Sequence, residues 1–210
     1  MNILAAPIRI LAVDDHPILR EGLRALINNQ PDLSLVAEGS NGQDALVQYR
    51  SHRPNVTLMD LQMPLMGGIE AITSIRSEFP DARIIVLTTF AGDVLAQRAL
   101  RAGALAYVLK GLVRKELLDT IRAAHRGLKR IQAEVAAQIA HHTGEVPLTA
   151  REIEVISLAA TGNSNKRIGV NLSINEETVK GHMTNILAKL GASDRTHAVT
   201  LALPRGIIEL

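Results

Sequence analysis

Five residues of this chain have the types that phosphoryl chemistry requires: Asp14 and Asp15, Asp60, Thr88 and Lys110. They close short apolar runs at Ile8–Val13, Val56–Met59, Ile84–Leu87 and Ala106–Leu109. Brought to one sheet edge, three carboxylates can hold a magnesium ion, which prefers oxygen ligands and keeps several waters. Such a cation offsets repulsion among the acids and neutralises charge on an incoming phosphoryl group. Asp60 is the best acceptor, a single acid followed by the turn Leu61-Gln-Met-Pro-Leu-Met-Gly-Gly68. Lys110 supplies a point charge for a phosphate oxygen, and the Thr88 hydroxyl can donate to another. Acids at strand ends are often merely solvated, and Asp14–Asp15 alone would not separate the two readings. All five positions together favour the phosphoryl site.

The elements that must position these groups are legible in the first 127 residues. Strand-like runs at Ile8–Val13, Leu33–Ala37, Val56–Met59, Ile84–Leu87 and Ala106–Leu109 alternate with helical spacing. The helical segments are Pro17–Asn28, Gly42–Ser51, Gly68–Glu78, Asp93–Ala102 and Val113–Arg126. Five such alternations predict an α/β fold with a doubly wound, five-stranded parallel sheet. Ligands bind such sheets outside the carboxyl ends of the strands, where the five residues fall.

Residues 128–147 read as a connector, partly helical because Ile131, Val135 and Ile139 recur every four residues. That stripe either packs on a domain or faces a partner; the adjacent His141 and His142 read as a solvated pair. From Leu148 the pattern is purely helical. Thr149-Ala-Arg-Glu152 predicts a capping box opening a helix through about Thr161. Ser164 is expected to cap a short helix through about Asn171, and Ser173-Ile-Asn-Glu176 to form a second capping box for a helix ending at Leu190. A last helix, Arg195–Leu203, stops at Pro204. Domains are therefore expected at 1–127 and 148–210, the second a separate all-α unit of four helices.

Within the helix ending at Leu190, Val179, Met183, Ile186, Leu187 and Leu190 share one face. The opposite stripe holds Lys180, Gly181, Thr184 and Ala188, flanked by His182 and Asn185, and could enter a major groove. Lys180 can donate to guanine or phosphate, and Thr184 to base edges or phosphate. Lys166, Arg167 and Lys189 could hold the DNA backbone. Periodicity alone serves a plain helical bundle equally well.

Composition bounds the reading without directing it. The 210 residues carry 23 Lys plus Arg against 21 Asp plus Glu, a net charge of +2. Residues 1–128 have 14 bases and 13 acids, and residues 129–210 have 9 and 8, so no strongly basic half announces nucleic acid. The absence of cysteine excludes disulfides and thiolate chemistry and fits a reducing cytoplasm. The run from Ile3 to Val13 is too short to span a membrane and is interrupted by Pro7 and Arg9, so no membrane association is expected.

Val13-Asp-Asp-His-Pro17, Met59-Asp-Leu-Gln-Met-Pro64, Leu87-Thr88 and Ala104-Leu-Ala-Tyr-Val-Leu-Lys110 resemble the motifs of a two-component receiver domain. Leu148-Thr-Ala-Arg-Glu152, Gly162-Asn-Ser-Asn-Lys166, Glu177-Thr-Val-Lys180, His182, Asn185-Ile186 and Lys189-Leu190 resemble a LuxR-type helix-turn-helix. The whole chain is thus similar to NarL/FixJ-type response regulators. The resemblance implies phosphorylation of Asp60 by a sensor histidine kinase, with Mg2+ (or Mn2+) bound directly by Asp15 and Asp60. Asp14 would act through water, and the Gln62 carbonyl would complete the ligands. Thr88 and Tyr107 would be the switch pair. Three departures are evident: Gly111 rather than proline follows Lys110, Gly181 replaces a larger side chain on the reading face, and Thr184 replaces what is often a longer polar residue.

On this reading the chain is a non-enzymatic transcription regulator that pairs on activation to bring two recognition helices to double-stranded DNA. In the resembling family the last helix often forms the dimer contact, which implies a seam of Ala198, Leu201 and Ala202. Two alternatives exist. One is a receiver used as a dimer platform and never phosphorylated. The other is a magnesium-dependent phosphohydrolase, which would want a second acid where Gln62 stands.

Overall fold

The computed structural model describes residues 6–89, 92–111, 114–142 and 144–208. The chain divides into two compact units, Met1–Thr89 with Ala96–Ala136, and Phe90–Leu95 with Ala137–Leu210. In the first, strands β1 (Ile8–Val13), β2 (Leu33–Gly39), β3 (Val56–Met59), β4 (Ile84–Thr88) and β5 (Ala106–Leu109) alternate with helices. These are α1 (Pro17–Asn28), α2 (Gly42–His52), α3 (Gly68–Glu78), α4 (Asp93–Ala102, in this unit from Ala96) and α5 (Arg114–His125). The predicted start of α5 at Val113 lies outside the described residues.

All strand pairs are parallel, in the order β2-β1-β3-β4-β5-β6. The sixth strand, β6 (Arg130–Ile131), corrects the expected count of five. It also removes Ile131 from the predicted helical stripe, so the connector helix α6 (Ala133–His141) starts later. A two-residue edge strand leaves no periodicity to detect.

Side-chain alternation along a strand splits the sheet into two buried faces. Ile8, Ile10, Ala12, Val56, Leu58, Ile85, Leu87, Ala106 and Val108 form one core with Leu23 and Ile27 of α1 and Leu117, Leu118 and Ile121 of α5. The alternate residues Leu11, Val13, Met59, Ile84, Val86 and Tyr107 are buried on the opposite face. With both faces covered, the strands read as continuous apolar runs. Because β1 lies between β2 and β3, the strand order reverses beside β1, and sheets of this kind bind ligands at the carboxyl ends of strands near such a reversal.

The second unit contains α7 (Ala150–Ala160), α8 (Asn165–Leu172), α9 (Glu176–Leu190) and α10 (Arg195–Ala202). Its core includes Val155, Ile156, Ala159, Ile168, Val179, Met183, Ile186, Ala198 and Ala202. The Thr149–Glu152 capping box forms as expected. The second box does not. Ser173 instead adopts a left-handed conformation (φ 56°) as the C-cap of α8, and Asn175 caps α9 by accepting from Thr178 N at 2.7 Å. The tight turn requires Ser173 to end one helix, so it cannot open the next.

Candidate functional site

Local geometry brings the five sequence-selected residues together. Asp14 and Asp60 follow adjacent strands, and Asp60 N donates to the Val13 carbonyl at 2.9 Å. Thr88 pairs with Leu109, and Lys110 N donates to the Thr88 carbonyl at 2.7 Å, which aligns the lysine beside the acids. The Lys110 ammonium lies between two carboxylates, 2.8 Å from Asp14 Oδ2 and 2.7 Å from Asp60 Oδ2. All three side chains are buried: Asp14 is 1%, Asp60 3% and Lys110 9% exposed. Asp60 Oδ1 accepts from Leu61 N at 2.7 Å. A Cβ on Gly68 would overlap the Asp60 carbonyl oxygen, so only glycine allows α3 to start this close to the acid.

Burial pushes the Asp60 carboxyl above its ordinary range, and the Lys110 ammonium opposes that rise. Burial acts to lower Lys110, but its close contacts with the Asp14 and Asp60 carboxylates prevail and hold it above the ordinary lysine value. Tyr107 is fully buried. Burial raises its hydroxyl, and a hydrogen bond with the Thr88 side chain works against that rise. The two residues of the expected switch pair are therefore joined.

The acids suit a cation. One ligand atom from each of Asp14, Asp15, His16 and Asp60 lies within 4.8 Å of the others. Asp14 Oδ2 and Asp15 Oδ1 are shielded from solvent yet accept no hydrogen bond. Asp14 Oδ2 has its close ion pair with Lys110, but not in hydrogen-bonding geometry. Gln62 is half-buried in the loop that follows β3.

Three residues near this site were not singled out from sequence. His16 joins the acidic cluster. Arg20 donates from Nη1 to the Asp14 carbonyl at 2.6 Å. Gln132 is buried, and its Oε1 accepts from Leu109 N at 3.1 Å, next to Lys110. The first lies inside the Val13–Pro17 motif; the other two carry no sequence signal that ties them to it.

In the second unit, α9 buries Val179, Met183 and Ile186 and exposes Lys180, Gly181, Thr184 and Asn185, with His182 half-buried. Lys166 and Arg167 are exposed on α8. Lys180 pairs with Glu177 at 2.6 Å, and this hydrogen bond raises it above its ordinary value. Lys189 is tied within the unit, 2.7 Å from Glu152 Oε2 and 3.3 Å from the Pro147 carbonyl. A Cβ on Gly169 would stand 2.7 Å from the Ile174 carbonyl oxygen, so glycine permits the close turn between α8 and α9. The expected dimer seam is corrected in part. Ala198 and Ala202 are fully buried in the unit's own core and present no surface to a partner, while Leu201 is half-buried.

Comparisons with known proteins agree with this geometry. Residues 10–122 match the response regulator receiver domain, and residues 146–202 match the luxR family of bacterial regulatory proteins. The transcriptional regulatory protein LiaR of Bacillus subtilis (strain 168) is 43% identical over 203 residues, covering 93% of this chain and 96% of LiaR. The transcriptional regulatory protein YxjL of the same organism is 39% identical over 213 residues, covering 96% and 98%. The crystal structure of ChrA, the response regulator of a heme-sensing two-component system, is 32% identical with a TM-score of 0.59, covering 97% of this chain and all of that one. With an acid-and-lysine crevice in one unit, a helix-turn-helix in the other, and relatives alike over nearly their whole length, the chain belongs to the two-component response regulators that join a receiver to a LuxR-type DNA-binding domain.

Proposed function

We propose that Asp60 accepts a phosphoryl group from the phosphohistidine of a sensor histidine kinase and that the modification controls pairing and DNA binding. A carboxylate oxygen of Asp60 attacks phosphorus, the P–N bond breaks, the electron pair leaves with the imidazole nitrogen, and an acyl phosphate forms. Asp14, Asp15 and Asp60, with the Gln62 carbonyl, would hold Mg2+ or Mn2+, which supplies charge neutralisation at the phosphoryl oxygens when bound. Lys110 would exchange its Asp60 contact for a phosphate oxygen. Thr88 would turn its hydroxyl toward phosphate and release Tyr107 to reposition, biasing a two-state surface. The observation that carries this reading is the buried Lys110 ammonium held between Asp14 and Asp60.

We take residues 1–127 as the receiver, 128–147 as the connector and 148–210 as the DNA-binding domain. Lys180, Gly181, His182, Thr184 and Asn185 would face the major groove, with Lys166, Arg167 and Lys189 toward phosphates. Two copies paired on double-stranded DNA would match two half-sites. The protein acts as a cytoplasmic switch rather than a turnover enzyme, since no second acid stands two residues after Asp60 to activate water. No helix among the described residues is long and apolar enough to cross a membrane.

Intact-mass measurement after incubation with magnesium and acetyl phosphate tests the core of this reading. One added phosphoryl group on wild type and none on Asp60→Asn is expected. Equal labelling of both would remove Asp60 from the role. If wild type stays unlabelled, binding of beryllium fluoride separates rapid hydrolysis from a dead site.

A further inference from the structure

His16 belongs to the acidic cluster but has no part in the phosphoryl transfer derived above. It is the N-cap of α1, with extended backbone (φ −86°, ψ 110°), a conformation favoured before proline. Its N–H donates to Asp14 Oδ1 at 2.9 Å, a local turn that lays the imidazole over the carboxylates. Nδ1 then stands 2.7 Å from Asp15 Oδ1 and 3.3 Å from Asp14 Oδ1. Both are ion-pair separations, yet neither has the geometry of a side-chain hydrogen bond, and Asp15 Oδ1, although shielded from solvent, accepts none. The buried Asp14 side chain, 1% exposed, contributes a second oxygen, Oδ2, ion-paired with Lys110 at 2.8 Å.

Ligand atoms about 2.1 Å from an octahedral cation are about 3.0 Å apart along each edge. The two His16 separations bracket that distance. An imidazole nitrogen and a shielded carboxylate oxygen held at this spacing without a hydrogen bond are arranged as neighbouring ligands of one ion. The ring is 70% exposed, so it reaches the cluster from the open side, where water would otherwise complete the coordination.

We propose that His16 Nδ1 is an additional protein ligand, making the receiver's cation site a mixed nitrogen–oxygen set selective for Mn2+ and other first-row ions over Mg2+. Magnesium is satisfied by oxygen and water, whereas imidazole suits transition metals and lies above oxygen in their preference. The proposal rests on the reading of the acidic crevice as a cation site and names the residue that chooses among cations.

The test uses the full chain loaded with Mn2+ and examined by electron spin echo envelope modulation, alongside competition between Mn2+ and Mg2+. Wild type should show modulation from one imidazole nitrogen. His16→Asn keeps a favourable N-cap and should retain Mn2+ while losing that modulation. Its preference for Mn2+ over Mg2+ should fall about tenfold, by weakening Mn2+ alone. Bound Mn2+ with no nitrogen modulation in wild type, or modulation that survives in His16→Asn, overturns the assignment and leaves the oxygen site standing. Failure of both wild type and Asp60→Asn to bind either ion at the cluster overturns the underlying cation-site reading as well.

Discussion

At the scale of single residues, function depends on atoms held close where ordinary side chains would not fit. Gly68 shows this most sharply, since any Cβ must displace the Asp60 carbonyl or Leu61 Cα. Gly68→Ala should leave the sheet folded but move the acceptor, lowering the rate of phosphoryl acceptance about 100-fold, as misplacements near 1 Å can. Intact mass against time, with circular dichroism as the folding control, checks this. Gly181 is the opposite case: it is exposed in mid-helix, and an added Cβ meets nothing within 4 Å. Gly181→Ala should stabilise the second unit by about 1 kcal/mol through helix propensity alone, read as a higher urea midpoint. Glu152 ties a cap to Lys189. Its burial acts to raise its pKa, but hydrogen bonds from Lys189 and Thr149 win and hold it below the ordinary value of 4.5. A depressed carboxyl contributes stability above its unfolded pKa and loses it as pH falls through the folded value. The second unit should therefore weaken below about pH 4.5, and Glu152→Gln, about 1–2 kcal/mol less stable at neutral pH, should show less of that decline. Thermal unfolding of both proteins between pH 3 and pH 7 measures it.

At the scale of elements, the sequence was most informative where burial imposes a period. β1, β3 and β5 and helices α1, α3 and α4 run between the residues that hydrophobic pattern and turn chemistry indicate. The five residues proposed for the phosphoryl site were legible for the same reason: each marks the point where a buried run ends and a polar group begins. Parts set by tertiary pairing were not legible. Ile131 fits a helical stripe yet pairs with Tyr107 in β6, because the open edge of β5 offers backbone partners that spacing cannot reveal. Ser173 fits a capping box, yet the α8–α9 turn needs it in the left-handed region. Ala198 and Ala202 of the expected dimer seam lie in the unit's own core, since small residues at helical spacing mark an internal core as readily as an interface. Gln132 follows β6; its backbone carbonyl accepts the Ala136 N–H in the first turn of α6, while its side chain accepts from Leu109 N. Gln132→Leu would remove the partner of that half-buried N–H, at a cost of about 1 kcal/mol. Hydrogen exchange should quicken at Leu109 while amides of β1 stay protected.

At the scale of the whole molecule, a near-neutral chain must bind a polyanion with few charges, so their placement matters more than their number. Residues 129–210 hold only one base more than acids, and several of those bases are already committed. Arg151 pairs with Glu154, Lys180 with Glu177 and Lys189 with Glu152. Lys166 and Arg167, exposed at the start of α8, take part in no ion pair identified among the described residues. They are suited to phosphates, whereas Thr184, exposed on α9, is suited to base edges. Each phosphate contact released should lower the slope of log K against log salt by about 0.9 in magnitude. Replacing Lys166 and Arg167 with alanine in a chain that binds DNA as a pair should therefore reduce the slope by about 3 to 4, two contacts from each copy, while preserving sequence preference. Thr184→Ala should leave the slope unchanged and relax discrimination at the bases it faces. Selection of bound fragments from a random duplex library, followed by affinity measurements across a salt series, separates these effects. A slope unchanged by loss of Lys166 and Arg167 would place the phosphate contacts on another face of the unit. The mixed charge of the chain would then reflect solubility rather than a focused electrostatic grip.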